Sequence, residues 1–345
     1  MTNLSFFSKL KQYIQSYDEN NIFVLTDKNV DKLVLPKIID NLPAFEEIKK
    51  IVIYAGENSK NIDTVTEIWR VLTESYAERN SLLINIGGGA VSDIGGFAAA
   101  TFKRGIDFIN IPTTLLAAVD ASIGGKTGVN FFNCKNQIGV FAMPKDVIVN
   151  VDFFDTLDDK NLYAGYAEML KYGYIYSRQL LENTFKLNLQ NIDQDLFINL
   201  INENIFVKNK FVTLDRYDMG NRQALNFGHT FGHAFESLSL KQPKSEPLLH
   251  GEAVAWGMVC ELLLSHLKFD FDKDEVLRLH TFVKENYPAL NVSCAKQDKI
   301  YELMKQDKKN ALSEIKITLL KEVGQYQINQ TATKEDIFKV LDYLC

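Results

Sequence analysis

Short apolar runs alternate with amphipathic stretches through the first half of the chain. Four of the runs are rich in Ile and Val and are predicted to be buried strands: residues 22–26, 50–54, 82–86 and 108–111. Three stretches between them are predicted to be helices, although Pro36 interrupts the first: residues 31–42, 61–78 and 93–101. This alternation predicts a parallel sheet with helices on both faces, with a ligand at the carboxyl ends of the strands.

A glycine-rich turn, residues 87–96, follows the third predicted strand and opens a helix. Backbone amides at such a helix start attract an anion, for instance a dinucleotide pyrophosphate. The turn is not Gly-x-Gly-x-x-Gly, because Ser92 occupies the position of the third glycine. Its setting between strand and helix favours phosphate binding over an ordinary glycine turn.

Two further loops are predicted to add polar groups at this edge. Thr113 and Thr114 end a strand, and residues 120–127 follow with Lys126 in a Gly-Gly-Lys-Thr string. That string lacks the first glycine and the four-residue gap of a P-loop, which excludes an NTPase. Each loop alone would be typical of a solvated connection.

Polar residues at helical spacing mark the second half. Arg222, Asn226, His229 and His233 are predicted to line one face of one helix. The other face is predicted to be buried and carries Phe227, Phe231, Ala234, Phe235 and Leu238.

Three of the five histidines lie in this region. His229 and His233 are four residues apart, so by spacing they could share a divalent metal with His250. The alternative is a pair of core or surface histidines. The neighbouring Arg and Asn side chains favour a site, because polar groups that converge on one spot usually mark one.

Composition bounds the class of protein. With 345 residues and 46% hydrophobic content, the chain has material for two globular domains. A net charge of -6 argues against a nucleic-acid-binding protein, and we expect no membrane span. The N-terminal residues do not resemble a signal peptide, and the four cysteines lack Cys-x-x-Cys spacing. We therefore expect a cytoplasmic enzyme.

Many strings of this chain resemble those of the 3-dehydroquinate synthase family, in the expected order across residues 23–320. They include the 87–96 turn, Pro-Thr-Thr-Leu-Leu-Ala, Ala-Glu-Met-Leu-Lys, Leu-Asn-Phe-Gly-His-Thr-Phe-Gly-His-Ala and His-Gly-Glu. The resemblance implies a Rossmann-like NAD-binding α/β domain over residues 1–158. It also implies a mostly α-helical, metal- and substrate-binding domain over residues 159–345.

The resemblance implies a reaction of the shikimate pathway. The family converts 3-deoxy-D-arabino-heptulosonate 7-phosphate to 3-dehydroquinate and phosphate. NAD⁺ transiently oxidises the substrate, phosphate is eliminated, the hydride returns, and an intramolecular aldol step closes the ring. NAD is thus a catalyst and is not consumed.

The family pattern also assigns residues, and it changes the metal ligands expected from spacing. Zn²⁺ or Co²⁺ is expected at Glu168, His229 and His250, while His233 turns to the substrate. The expected catalytic residues are Lys171, Lys208, His233 and Asp120. The expected substrate-binding residues are Arg104 from the partner of a homodimer, Lys126, Asn136, Arg222 for the carboxylate, Asn226 and one of Lys308 and Lys309. The expected NAD contacts are Asp27, Glu57, Lys60, Gly88, Gly89, Asp93, Thr113, Thr114, Lys126, Lys135 and Thr156.

Some positions depart from the family pattern and leave loop geometry open. Asp215-Arg216 stands where an acidic pair is usual, Asp218 replaces a common Glu, and Lys160 replaces a common Arg. The interval between His233 and His250 is a few residues longer than usual. Three alternatives also stay open: another sugar-phosphate cyclase, a metal-dependent polyol or alcohol dehydrogenase, and an inactive nucleotide-binding relative.

Overall fold

The structure is a computed structural model, and it describes residues 3–132, 134–240, 247–290, 296–305 and 315–344. Lys308 and Lys309 lie outside these residues. The chain divides into two compact units, Met1–Asp158 and Asp159–Cys345. Within the described part of the chain, no helix combines the length and apolar character needed to cross a bilayer.

The first unit is built on a parallel β-sheet. The strands of this unit are β1 Ile22–Asp27, β2 Lys49–Ile53, β3 Leu82–Gly87, β4 Asp107–Pro112, β5 Lys126–Phe131, β6 Cys134–Phe141 and β7 Asp146–Val147. Five of them form the sheet, in the order β2-β1-β3-β4-β7. The four predicted strands are confirmed to within one residue at each end. Strands β1, β3 and β4 are mostly apolar because helices cover both faces of the sheet, and each face holds its own buried cluster. The edge strand β2 exposes three of its five residues.

The helices of the first unit are α1 Asn3–Gln15, α2 Lys28–Leu33, α3 Leu35–Asn41, α4 Ile62–Glu74 and α5 Gly89–Thr101. The single helix predicted over 31–42 is wrong, because two helices occupy this region. Pro36 stands in the first turn of α3, where a missing N–H leaves no intrahelical bond unmade. The helix predicted over 93–101 begins earlier, at Gly89, so the glycine turn itself opens α5.

Two buried asparagines lie on neighbouring strands of this sheet. The Nδ2 of Asn85 in β3 donates to the Oδ1 of Asn110 in β4 at 3.0 Å. The Nδ2 of Asn110 then donates to the carbonyl oxygen of Ser122 at 3.1 Å. These bonds tie the segment after β4, which carries Asp120, to the middle of the sheet.

An antiparallel hairpin replaces part of the expected loops. Strands β5 and β6 pair with each other, Lys126 opens β5, and Lys135 and Asn136 lie on β6. The loop predicted over 120–127 is therefore only partly correct. Its first residues form a short π-helical turn, Ala117–Ala121, and its last residues are strand. All eight residues of β6 are exposed.

The second unit is mostly helical and contains one described hairpin. Its elements are α6 Asp159–Tyr176, α7 Arg178–Lys186, α8 Gln194–Leu214, α9 His229–Leu240, α10 His250–Phe269, α11 Lys273–Asn286, α12 Gln297–Lys305, β8 Ile315–Glu322, β9 Gln325–Ala332 and α13 Lys334–Leu344. The five residues predicted for a buried helix face are all buried, and four of them lie on α9 while Phe227 lies just before it.

The single helix predicted through Arg222, Asn226 and both histidines is wrong. Arg222 and Asn226 lie in a 3-10 turn, Asn221–Asn226, and α9 begins only at His229. Gly228 breaks the helical path with a φ of 81°, a left-handed conformation that favours glycine. Two of the four polar residues, Arg222 and Asn226, thus lie in the turn, and the two histidines lie in the helix.

Candidate active site

Three helices of the second unit bring one carboxylate and two imidazoles together. Glu168 comes from the middle of α6, and His229 and His250 are the first residues of α9 and α10. Each offers one ligand atom, and the three atoms lie within 4.8 Å of one another. The Nε2 of each histidine is 3.6 Å from the Oε1 of Glu168.

Glycines allow these helices to approach so closely. A Cβ on Gly251, next to His250, would lie 1.9 Å from the carbonyl oxygen of Ala164 in α6. On α9, Gly232 faces the backbone of α10 in the same way, with Ala253 O 3.1 Å from the position of a Cβ. The start of α10 is fixed as well, because the N–H of Leu249 donates to the side chain of Glu252 at 2.7 Å.

In each of these two histidines, the ring nitrogen Nδ1 lies near an oxygen atom of another residue. The Nδ1 of His229 is 3.1 Å from the carbonyl oxygen of Phe227, which can only accept, so Nδ1 carries the proton. This tautomer leaves the lone pair of Nε2 on the side of Glu168. The Nδ1 of His250 is 3.6 Å from the buried carboxylate of Glu236. A carboxylate or carbonyl behind each histidine is the usual outer partner of a metal-bound imidazole.

Sequence reasoning missed Glu236. The sequence feature that could have indicated Glu236 is its spacing of seven residues from His229. On a helix, this spacing places both side chains on one face, two turns apart. Which segment this face would meet depends on how α9 and α10 pack, and the sequence does not contain that information directly.

The electrostatics of this cluster favour a cation. Glu168 is 0% exposed, and its carboxylate contacts the ammonium of Lys171, which is 1% exposed. Burial opposes a charge on His250, but the carboxylates of Glu168 and Glu236 outweigh it and raise the pKa of His250 to about 10. One carboxylate with two imidazoles is also a donor set that suits Zn²⁺ and leaves positions for substrate oxygens. The residues present therefore fit a divalent metal.

His233 lies beside this group but is not part of it. Its ring centroid is 5.4 Å from that of His229 and 5.8 Å from that of His250. Among the described residues, Glu168, His229 and His250 have ligand atoms close enough together to share a metal ion, and His233 is not in this group. The set of three histidines expected from spacing alone is thus not the set that the structure brings together.

Three of the predicted cationic site residues are buried in the second unit. Lys171 and Lys208 project from α6 and α8, and Arg222 is 2% exposed. The Nη1 of Arg222 donates to the carbonyl oxygen of Arg216 at 2.8 Å.

Asp215 organises the loop that carries Arg222. Its carboxylate accepts the N–H groups of Met219, Gly220 and Arg222 at 3.0, 2.7 and 3.1 Å. Burial would raise the pKa of Asp215, but these backbone donors and the charge of Arg222 hold it below its ordinary value. Sequence reasoning noted this position only as a departure from the family pattern.

In the first unit, several predicted cofactor residues lie at the carboxyl ends of the strands. Asp27 ends β1 and caps α2, accepting the N–H groups of Asn29 and Val30 at 2.9 and 3.1 Å. Gly88 precedes α5, and a Cβ there would lie 3.2 Å from the Cγ2 of Thr114. The N–H of Thr113 donates to the carbonyl oxygen of Gly87 at 3.0 Å.

A polar network joins other predicted residues to the hairpin. The ammonium of Lys60 contacts Asp93 and the side-chain oxygen of Asn136. Asn130, which sequence reasoning missed, donates to Glu57 at 2.8 Å and accepts the N–H of Asn136 at 2.8 Å. Strand β5 supplies Asn130, so this network depends on the hairpin that the sequence did not predict.

The remaining predicted residues of this unit are spread over it. The hydroxyl of Thr156 donates to the carbonyl oxygen of Phe153 at 2.8 Å. Lys126 and Lys135 are exposed on the hairpin. Arg104 is exposed in a turn where Lys103, Arg104 and Gly105 all have positive φ, 49°, 69° and 115°.

This combination of a parallel α/β unit, a helical unit and a candidate metal centre of two histidines and one carboxylate is that of an enzyme with the sugar-phosphate cyclase fold. A crystal structure of 2-deoxy-scyllo-inosose synthase complexed with carbaglucose-6-phosphate, NAD⁺ and Co²⁺ shares this fold. Its TM-score is 0.81, with 23% identity over 96% of this chain and 94% of that chain.

Sequence comparisons then give the family. The profile described as 3-dehydroquinate synthase N-terminal matches residues 50–164, and the C-terminal profile matches residues 165–310. The chain is 44% identical to a 3-dehydroquinate synthase of Parabacteroides distasonis, over 97% of this chain and 94% of that protein. It is 38% identical to that of Clostridium acetobutylicum, over 94% and 90%. The chain belongs to the 3-dehydroquinate synthase family.

Proposed function

We propose that this protein converts 3-deoxy-D-arabino-heptulosonate 7-phosphate to 3-dehydroquinate and phosphate. The observation that carries the proposal is the Glu168, His229 and His250 cluster with buried Lys171 beside it, in a chain that matches this family along both units. An inactive nucleotide-binding relative would have no need of a buried donor set that favours a cation.

Glu168, His229 and His250 would hold Zn²⁺ or Co²⁺, and the first unit would hold NAD⁺. When bound, these groups supply a Lewis acid and a reversible hydride acceptor. Lys171 and Lys208 are proposed to bind the reacting hydroxyls, and Asp120 is proposed to orient them. The imidazole of His233 is proposed to give and take a proton on the phosphate side.

The proposed NAD⁺ site uses the carboxyl ends of the strands. The amides of Gly88 and Gly89 at the start of α5 suit the pyrophosphate. Glu57 suits a pair of ribose hydroxyls, which favours NAD over its 2′-phosphorylated form. The other proposed contacts are Asp27, Lys60, Asp93, Thr113, Thr114, Lys126, Lys135 and Thr156.

The substrate carries a carboxylate and a phosphate, and the proposed contacts match these charges. Arg222 has a planar fork that can bind both oxygens of a carboxylate. Lys126, Asn136 and Asn226 are proposed on the phosphate side, together with Arg104 of a partner subunit. One of Lys308 and Lys309 completes this proposed set.

The NAD requirement tests the function. With purified protein and the heptulosonate substrate, a catalytic amount of NAD⁺ should support many turnovers of phosphate release without net NADH. Phosphate can be measured by a colorimetric assay and NADH by its absorbance in the same sample. If NADH accumulated in step with product, the protein would be a dehydrogenase and the proposal would be wrong.

We further propose a homodimer in which Arg104 serves the neighbouring site. Two features of the first unit support it: the exposed turn of Arg104, and the exposed strand β6 with its apolar residues. Ile138, Val140 and Phe141 are 36%, 37% and 41% exposed, and Phe132 at the hairpin tip is 85% exposed. Apolar side chains clustered on an exposed strand are typical of a surface that another chain covers.

Arg104→Ala should raise the substrate KM by about 10-fold or more, because a charge-assisted hydrogen bond contributes about 1.5–3 kcal/mol. The Kd for NAD⁺ should stay nearly unchanged, and Lys103→Ala, which removes the adjacent exposed cation, serves as the control.

Mixed dimers test whether Arg104 acts across the interface. Co-expression of Arg104→Ala with His229→Ala should restore about one quarter of the sites, since half of the dimers are mixed and each mixed dimer has one intact site. A fully active monomer, or no recovery in the mixed dimers, would contradict the proposed role of Arg104.

A further inference from the structure

A buried carboxylate holds the peptide groups on both sides of His229. Glu261 lies in α10 and is 0% exposed. Its Oε2 accepts the N–H of Gly228 at 2.7 Å, and its Oε1 accepts the N–H of Thr230 at 3.2 Å. These hydrogen bonds fix the backbone immediately before and after His229, a candidate metal ligand, and they do not involve its imidazole.

This carboxylate lies where a helix start needs an acceptor. The first N–H groups of an α-helix have no partner inside the helix, and this end carries a partial positive charge. Gly228 precedes α9 and has no side chain that could accept them. Glu261 therefore acts as a cap supplied by another helix, and the helix end in turn stabilises its buried negative charge.

The other side of the same turn is held by close backbone contact. A Cβ on Gly257, one turn before Glu261 in α10, would lie 1.9 Å from the carbonyl oxygen of Gly228. The turn is thus fixed to α10 by a glycine contact and by two hydrogen bonds. The same turn includes Phe227, whose carbonyl oxygen orients the ring of His229.

We propose that Glu261 is a positioning residue that sets the affinity of the protein for its metal by fixing the backbone of His229. This inference rests on the metal centre of the proposed function. Helix α10 carries His250 at its first residue and Glu261 eleven residues later. One helix therefore carries His250 and also contacts the backbone on both sides of His229.

Two substitutions separate the hydrogen bonds from simple packing. Glu261→Gln keeps the shape of the side chain, but its amide oxygen can accept one N–H while its NH₂ group faces the other. Glu261→Asp keeps the charge on a side chain one methylene shorter.

Ser265→Ala is the matched control. Ser265 lies one turn further along α10, is equally buried, and its hydroxyl accepts the N–H of Leu320 at 3.0 Å. The same hydroxyl donates to the backbone carbonyl oxygen of Glu261 at 2.6 Å. This control thus removes hydrogen bonds to the backbone from the same helix, and it leaves in place the carboxylate of Glu261 and the two N–H groups that it accepts.

The measurement is the Kd for Zn²⁺ of the full-length apo protein, obtained by competition with a chromophoric chelator, with the Tm of each apo variant recorded beside it. We expect Glu261→Gln to weaken Zn²⁺ binding by about 10–100-fold, the range typical of outer-shell partners. Ser265→Ala should lower the Tm and leave the Kd within about twofold of the parent.

These measurements separate a positioning role of Glu261 from a purely structural one. If Glu261→Gln and Glu261→Asp both fold and bind Zn²⁺ as tightly as the parent, Glu261 has a structural role only. The same conclusion follows if Ser265→Ala weakens binding as much as they do. If the Gln variant does not fold, the Asp variant decides by the same comparison. A parent protein that binds no Zn²⁺ would instead overturn the proposed metal centre.

Discussion

His233→Ala is expected to keep its metal and to lose about 10²–10⁴-fold in kcat, the usual range for removal of a general acid or base. The reason is geometric: the structure groups His229 and His250 with Glu168, and His233 lies beside this group. Its imidazole can then exchange a proton with the substrate without holding the metal. Affinity for NAD⁺ should change little, because the proposed cofactor residues belong to the other unit.

His229→Ala provides the comparison. It removes one of three proposed donors, so metal content after the same dialysis should fall and activity should partly return at high added Zn²⁺. Elemental analysis of both variants decides the assignment. An empty site in His233→Ala would mean that the histidine spacing, and not the carboxylate set, identifies the ligands.

Gly251→Ala is expected to disrupt the metal centre although Gly251 contributes no ligand. The added Cβ would lie 1.9 Å from the carbonyl oxygen of Ala164, and backbone cannot rotate away as a side chain can. Helix α10 must then move away from α6, which carries Glu168, and His250 moves with it. Since a misplacement of about 1 Å can cost on the order of 100-fold in rate, kcat/KM should fall by at least that factor.

Gly173→Ala is the matched control for this experiment. Gly173 lies on α6 as well, and a Cβ there would lie 2.7 Å from the Cα of Leu181 in α7. This variant should also lose stability, since overpacking typically costs about 1–3 kcal/mol. Its Zn²⁺ content should nevertheless match that of the parent. Equal Zn²⁺ content in both folded variants would show that the α6–α10 contact does not set the geometry of the metal site.

The sheet of the first unit could be predicted because its physical cause is local. A strand covered on both faces by helices must be mostly apolar, and the runs at 22–26, 50–54, 82–86 and 108–111 meet that condition with one polar residue each. The hairpin of β5 and β6 escaped prediction for the opposite reason. Its residues mix glycine, polar and apolar types, and β6 is exposed along its whole length.

The candidate metal site was only partly accessible from the sequence. Helical spacing placed His229 and His233 on one face, but it also extended the helix back through Gly228, whose positive φ ends that pattern. The carboxylate came from the family resemblance, because no local rule connects Glu168 to histidines sixty or more residues away. The outer partners Glu236 and Glu261 depend on how α9 and α10 pack, so only the folded structure reveals them.

The hydrogen-bonded pair of buried asparagine side chains in the parallel sheet affects the register of its strands. Asn85 and Asn110 lie opposite each other on β3 and β4. A shift of the register by one residue would turn one side-chain amide to the opposite face of the sheet, and the hydrogen bond between the two amides would be lost. An unpartnered buried polar group costs about 1–3 kcal/mol, which penalises every slipped pairing. The pair therefore favours a single register between β3 and β4. This register aligns the ends of the two strands, which Gly88 and Thr113 directly follow.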